Sequence, residues 1–338
     1  VGVLAVEDGG PLAVLGVLLV HTLPRALLAP WAGRLADRHD RRTVLALGSA
    51  ARGVAVLGMA IAAAWGAPGV LAGLFVLRMA LGGLVDAAAG AAVPRLVPGA
   101  ELPRAHALLG ATWSVTFAAG VAAGGLLTAG LGPVVALGLD ALTFFVAAAI
   151  FAGLPGLRAR REPGDPATAA DASGGPALAF LRRHPAARRA ALAKLPVMIA
   201  SGGAFVLVHA LAGEGAARGT ALALGALHLA RALGTGLGAV LWARISALRG
   251  TETGLRTATG VVLLGVLGLA LADGPRGWML AALVWGVGVG SHWATAATLL
   301  QRLTPDSLRG RMTAVDLVSH TTGQCLGGVL GCAGLMVL

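Results

Sequence analysis

No tyrosine occurs in the 338 residues, lysine occurs once, and only 12% of the side chains are charged. Aromatics make up 4% of the chain, and its basic residues form no stripe interleaved with rings, which argues against a nucleic-acid partner. The lone lysine, Lys194, sits in ALAKLP, which is no phosphate-binding loop, so hydrolysis of ATP through a Walker motif is excluded. HExxH, CxxC and GxSxG are also missing, so no cofactor, no metal, no catalytic residue and no enzyme activity is expected. The two cysteines, Cys325 and Cys332, lie on one expected helix about 10 Å apart along its axis and cannot bond to each other. Period-two alternation is absent too, which disfavours a membrane barrel. The chain opens on Val with no cleavable leader in view, and VGVLAVED reads as the tail of a helix that starts upstream.

What is present is apolar length. Hydrophobic residues are 57% of the chain, with 52 glycines and a mean hydropathy of +0.82, beyond what a water-soluble fold of this size sustains. Runs such as VLAGLFVLRMALGGLVDAAAG are apolar around nearly the whole helical circumference and need lipid or other helices on every side. Ten spans are expected, at 11–31, 43–64, 70–91, 105–129, 133–154, 190–212, 219–243, 256–272, 277–300 and 310–338.

The basic residues set the orientation, because arginines beside membrane spans are retained on the cytoplasmic side. Alternate loops carry nineteen arginines, whereas the loops between them carry Arg218 and Arg276. The net charge of +11 is thus a topology signal. The central hydrophilic segment, GLRARREPGDPATAADASGGPALAFLRRHPAARR, is expected to be a cytoplasmic linker. It divides the chain into an N-terminal bundle at 1–154, a linker at 155–189 and a C-terminal bundle at 190–338.

The bundles share a repeat. PRLVPGAELPRAHA (94–107) and QRLTPDSLRGRMTA (301–314) align without a gap, matching Arg95, Leu96, Pro98, Arg104 and Ala107 to Arg302, Leu303, Pro305, Arg311 and Ala314. Pro98 and Pro305 are expected to stop the preceding helices. Duplicated helical bundles joined by a cytoplasmic linker are a transporter architecture.

GRLADRHDRR (33–42) resembles the loop between helices 2 and 3 of the major facilitator superfamily, roughly GxLaDrxGRr, with Asp40 where glycine is commonest. That variant, together with DAAAGAAVPRLVPGAELPRAHALLGA and GLDALTFFVAAAIF, resembles the branch of siderophore, effector and drug exporters related to the enterobactin exporter. The resemblance implies an all-α polytopic fold of two pseudo-symmetric bundles. It makes the ten spans helices 2 to 11 of twelve, with residues 1–8 ending helix 1 and helix 12 missing from a longer parent. It also implies that Asp37 sits against the start of helix 11, near Gly310 and Arg311, where a helix N-terminus favours negative charge. Asp86 is expected within reach of Arg38 or Arg41, with Gly33 allowing close approach and Arg42 holding the loop, so that Gly33, Asp37, Arg38, Arg41, Arg42, Asp86 and Arg311 form a conformational gate.

Ionisable groups at membrane depth are functional candidates, because each is costly there. Arg78, in RMALG, resembles the superfamily's RxxqG pattern, linked in exporters to proton coupling, with Leu81 replacing glutamine. The alternative for Arg78 is structural pairing with a carbonyl or with Asp140. Asp316 and His320 share a helix face, as a proton relay or a packed polar pair. His292 is a further candidate for coupling, and Trp113, Trp285 and Trp293 either line a ligand cavity or pack in the core. Arg25 and Arg52 are read as structural, and Arg231 as lowering the proton affinity of His228 if both face inward. GVAAGG (120–125) resembles the exporter motif GPxxGG with Val121 for proline. Gly323, Gly327 and Gly331 are expected to let helices approach closely. The expected function is proton-coupled export of small amphipathic molecules by a monomer in a bacterial inner membrane. An importer, a membrane sensor or scaffold, and a membrane-embedded enzyme are the alternatives.

Overall fold

Helices this apolar bury their backbone polar groups internally, and the chain uses glycine, proline and short polar caps to turn between them. The computed structural model describes residues 2–158, 175–214 and 220–337. α1 (Gly2–Arg38) runs into α2 (Arg41–Ala64) through Asp40, whose carboxylate accepts a bond from the Arg42 amide at the start of α2. At the other end of α2, Gly66 adopts a positive φ and the Ala67 amide bonds back to the Ala62 carbonyl, closing the helix. α3 (Pro68–Leu96) follows, with proline at its first position.

α4 (Leu102–Ala152) is a hairpin, broken where Gly132 takes φ 81° and ψ 163° ahead of Pro133. A straight helix of this length would run about 76 Å, more than twice the hydrocarbon thickness, so the break is what returns the chain to the linker side. α5 (Gly175–Arg183) and α6 (Pro185–Leu192) form the end of the linker. Far from being a bare tether, they bury Phe180, Leu181, Ala187 and Ala190 against Leu300, Leu308 and Met312. α7 (Lys194–Glu214), α8 (Thr220–Arg249), α9 (Thr251–Leu271), α10 (Gly274–Leu303) and α11 (Arg309–Val337) complete the second bundle. Residues 2–8, expected to end a separate helix, continue into α1 without a break.

Eight helical spans among the described residues are long and apolar enough to cross a membrane. The first arm of α4 and α11 bring the number of expected spans that are helical to ten. The exposed surface is apolar, with Leu27, Ile150, Leu264 and Leu280 outward, the reverse of a water-soluble bundle. α1, α2, α3 and α4 pack on one another in the first bundle and α7 to α11 in the second, and the two meet where α1 lies along α11 and the first arm of α4 along α8.

The repeat is visible in the backbone. Pro98 and Pro305 take φ/ψ of −58°/149° and −57°/148°, and each opens a 3₁₀ turn, Gly99–Glu101 and Asp306–Leu308, that leads into the next helix.

Close helix approach has a specific cause in the second bundle. A Cβ at Gly327 would collide with the carbonyl of Ile199 on α7, and one at Gly331 would sit 2.8 Å from the Gly203 Cα. Gly327→Ala is therefore expected to lower stability by about 1–3 kcal/mol through overpacking. Gly124→Ala, with open space around it, should change stability by less than about 0.5 kcal/mol. Unfolding of the detergent-solubilised variants checks both.

Candidate functional site

At the linker face the bundles are joined by buried polar contacts. The Asp37 carboxylate, at the end of α1, accepts from the backbone N–H of Gly310 at 2.6 Å and of Arg311 at 3.0 Å, the first turn of α11. A carboxylate there satisfies two amides that have no partner within their own helix and meets the positive end of its dipole. The approach depends on two glycines: a Cβ on Gly33 would lie 2.7 Å from the Gly310 carbonyl oxygen and 2.8 Å from the Ala314 Cβ, and one on Gly310 would press on Asp37. Arg311 also brings its Nε to 3.9 Å from Asp37.

Arg41 is fully buried, 0% exposed, and spans the boundary. Its guanidinium donates to the Ala91 carbonyl of α3 at 2.8 Å, to Asp306 Oδ1 at 3.0 Å and to the Asp306 carbonyl at 2.8 Å. Arg309 pairs with the same carboxylate at 2.9 Å, and Arg95 approaches it to 4.0 Å. Arg42 turns away to the Leu154 carbonyl, and Asp40 accepts from Leu157 N, tying the beginning of the linker to α2. Arg38 lies exposed at the same edge. On the other side of the boundary, Gln301 of α10 donates to the Gly90 carbonyl at 2.7 Å and its Oε1 lies 2.8 Å from His106 Nε2 of α4.

Asp86 is not part of this network. It lies ten residues before the end of α3, about 15 Å in from the linker face, and at that depth meets Arg25 of α1 instead of Arg38 or Arg41.

Among the described residues the interior holds three further carboxylate partnerships. Asp86 pairs with Arg25. Arg78 approaches Asp140 at 3.7 Å, with Arg78 and Arg52 both over the Phe144 ring at 5.2 and 4.5 Å. Asp316 pairs with Lys194 at 2.5 Å, and the lysine is 1% exposed. The Lys194 ammonium lies 3.7 Å from the Trp293 ring centre, and His320 packs edge-to-face with Trp293, the ring centres 5.0 Å apart. Asp316 is thus engaged by a lysine on α7, whereas its helix neighbour His320 makes a ring contact. His292 is buried at 2% exposure next to the same tryptophan. Trp285 is buried and donates to Ser201, whereas Trp113 is 46% exposed and stacks on Phe117. In the segment at 120–125, the side chains of Val121, Ala122 and Gly125 lie outside the described residues.

Four contributors were not singled out from the sequence: Lys194, Asp306, Gln301 and His106. Lys194 carried a signal, being the one lysine of the chain and set in an apolar run. Asp306 carried a weaker one, an acid in the second copy of the repeat where the first has Gly99. His106 and Gln301 carried none.

Such a set combines buried cross-bundle latches at one face with charge pairs at mid-depth, and no metal cluster occurs among the described residues. The Major Facilitator Superfamily profile matches residues 8–331. Enterobactin exporter EntS of Shigella boydii is 29% identical over 319 residues, covering 90% of this chain and 73% of the exporter, and the Escherichia coli O81 protein of the same name gives the same identity and coverage. Among solved structures, a bacterial homologue of the iron transporter ferroportin in its outward-facing state superposes with a TM-score of 0.72 at 18% identity, covering 100% of this chain and 86% of that one. The human organic anion transporter MFSD10 superposes with a TM-score of 0.75 at 17% identity, covering 95% and 78%. These relatives are transporters and not enzymes. With the family matched along almost its whole length and the fold shared, this chain is an integral membrane protein that belongs to the major facilitator superfamily of transporters.

Proposed function

We propose that this chain exports small amphipathic molecules from a bacterial cell through the inner membrane, driven by protons, by rocking of a bundle at 1–154 against one at 190–338. The observation that carries the reading is the Asp37 carboxylate held by two backbone N–H groups of the opposite bundle, with Arg41 buried beside it. These bonds are made only while the linker face is shut. An alternating-access cycle must break them and gain something comparable elsewhere. In this reading Gly33, Asp37, Arg38, Arg41, Arg42 and Arg311 act as the gate, and Asp86 with Arg25 as a second clasp deeper in.

Export is favoured by the 29% identity to enterobactin exporters, which also points to siderophores or compounds of similar size as cargo. The nineteen arginines of alternate loops favour a cytoplasmic linker. Arg78 with Asp140, and Asp316 with Lys194, His320 and His292, supply groups whose charge can change as a proton is taken up or released. The protein acts as a monomer, with one path between its two bundles.

Reconstitution into liposomes tests the reading. With an imposed proton gradient, wild-type protein is expected to move compounds from a panel of dyes and catecholate siderophores, and Arg78→Ala to lower the rate at least tenfold at equal incorporation. Transport that ignores the gradient, or that survives Arg78→Ala unchanged, would overturn the coupling.

A further inference from the structure

Arg231 of α8 differs from the other interior cations. Arg25, Arg78 and Lys194 each have an aspartate, and Arg52 shares Phe144 and the neighbourhood of Asp140 with Arg78. Arg231 has no carboxylate among the described side chains, and its Nε is buried without a hydrogen-bond partner. What surrounds it is aromatic. The guanidinium carbon lies 5.8 Å from the Trp113 ring, 5.7 Å from Phe117 and 5.3 Å from Trp285. The rings are themselves fixed: Trp113 stacks on Phe117 at 5.2 Å, and Trp285 is tied to Ser201 through its indole N–H.

The place is as informative as the company. Arg231, Trp113 and Trp285 are each eleven residues from one end of their helices, which begin at Thr220, Leu102 and Gly274. That is about 16 Å, half of the hydrocarbon thickness. Trp113 and Phe117 belong to the first bundle, whereas Arg231 and Trp285 belong to the second. The cluster therefore straddles the midplane boundary between the two. Trp285 is buried, whereas Trp113 is nearly half exposed.

From this geometry we infer that Arg231, Trp113, Phe117 and Trp285 form a binding site for an aromatic organic anion, whose carboxylate or phenolate supplies the negative charge that no described side chain provides. A buried guanidinium is stabilised only in part by ring faces, and a planar acid presents two oxygens to its fork. The ligand's ring would at the same time lie among Trp113, Phe117 and Trp285, which favours flat bodies over aliphatic ones. A neutral isostere keeps the stacking and loses the charge.

This site deepens the transport reading above and rests on it for its role, but its test does not need transport. Binding of naphthalene-2-carboxylate and of 2-naphthamide to the purified full chain in detergent would be measured by calorimetry. The carboxylate is expected to bind at least tenfold more tightly than the amide. Arg231→Gln should bring the carboxylate to the level of the amide, Arg231→Lys should retain part of the preference, and Arg276→Gln, which changes net charge equally on the exposed first turn of α10, should retain all of it. Trp113→Leu should weaken both probes about equally, which separates stacking from charge if Arg231→Gln is poorly folded. Equal affinity for the two probes, a preference that survives Arg231→Gln, or no binding of either at millimolar concentration would overturn the site. Gradient-driven transport without a carboxylate preference defeats this assignment alone, and a carboxylate preference without gradient-driven transport defeats the transport reading alone.

Discussion

Lys194→Met is expected to destabilise the protein by about 3–5 kcal/mol, the range for breaking one side of a buried ion pair. The ammonium lies 2.5 Å from Asp316 and caps the face of Trp293 at 3.7 Å. Its removal leaves a carboxylate in an apolar interior with Oδ1 already lacking a partner. The penalty is mostly the stranded charge, not the lost attraction, and this distinction can be measured. The double variant Lys194→Met/Asp316→Leu takes out both charges and should recover most of the loss, because apolar replacement of a buried pair is often neutral. Unfolding in mixed micelles would report the cycle. A double variant no more stable than Lys194→Met would show that the lysine acts through packing on Trp293 and Trp293 alone. If the pair also takes part in proton movement, the restored double variant should fold well and lose gradient-driven transport.

The second large effect is expected at the linker face. Asp37→Ala removes two hydrogen bonds from a charged acceptor, each worth roughly 1.5–3 kcal/mol, so the balance between shut and open linker faces should move by at least tenfold, and transport should fall by a similar factor. Asp37→Asn, with one oxygen left to accept, should fall between wild type and alanine. Gly33→Leu reaches the same end by bulk, since its first side-chain atom already meets the Gly310 carbonyl. Spin labels at Leu96 and Leu303, exposed ends of α3 and α10, would read the separation after Cys325 and Cys332 are replaced by alanine. A longer and broader distance is expected in Asp37→Ala and Gly33→Leu. An unchanged distance in both would remove Asp37 and Gly33 from the gate.

The spans, their ends and the duplicated turn were legible in the sequence because each depends on local properties. Apolar length sets a membrane helix, and proline at 98 and 305 ends one, so hydropathy and spacing carry the information. Pair choice depends on depth and rotation, which single spans do not record. Asp86 was expected beside Arg38 or Arg41, which its place in the chain does not forbid, but ten residues of rise carry it to Arg25. Lys194 and Asp316 are 122 positions apart and meet because the glycines of α11 let α7 approach closely. The contact of Asp37 with α11 was expected from resemblance alone; no property of residues 33–42 names a partner 273 positions away. Residues 2–8 were expected from the resemblance to end a separate helix, yet the helix continues through Gly9, Gly10 and Pro11.

The duplicated turn is equal in backbone and unequal in charge. Asp306 gathers Arg41, Arg95 and Arg309, whereas beside it Gln301 is held by neutral partners, the His106 imidazole and the Gly90 carbonyl. A door so built carries a charged and a neutral bolt side by side on one jamb, seated on the adjacent carbonyls of Ala91 and Gly90. Drawing one bolt should therefore loosen the other, so that this corner springs as a unit.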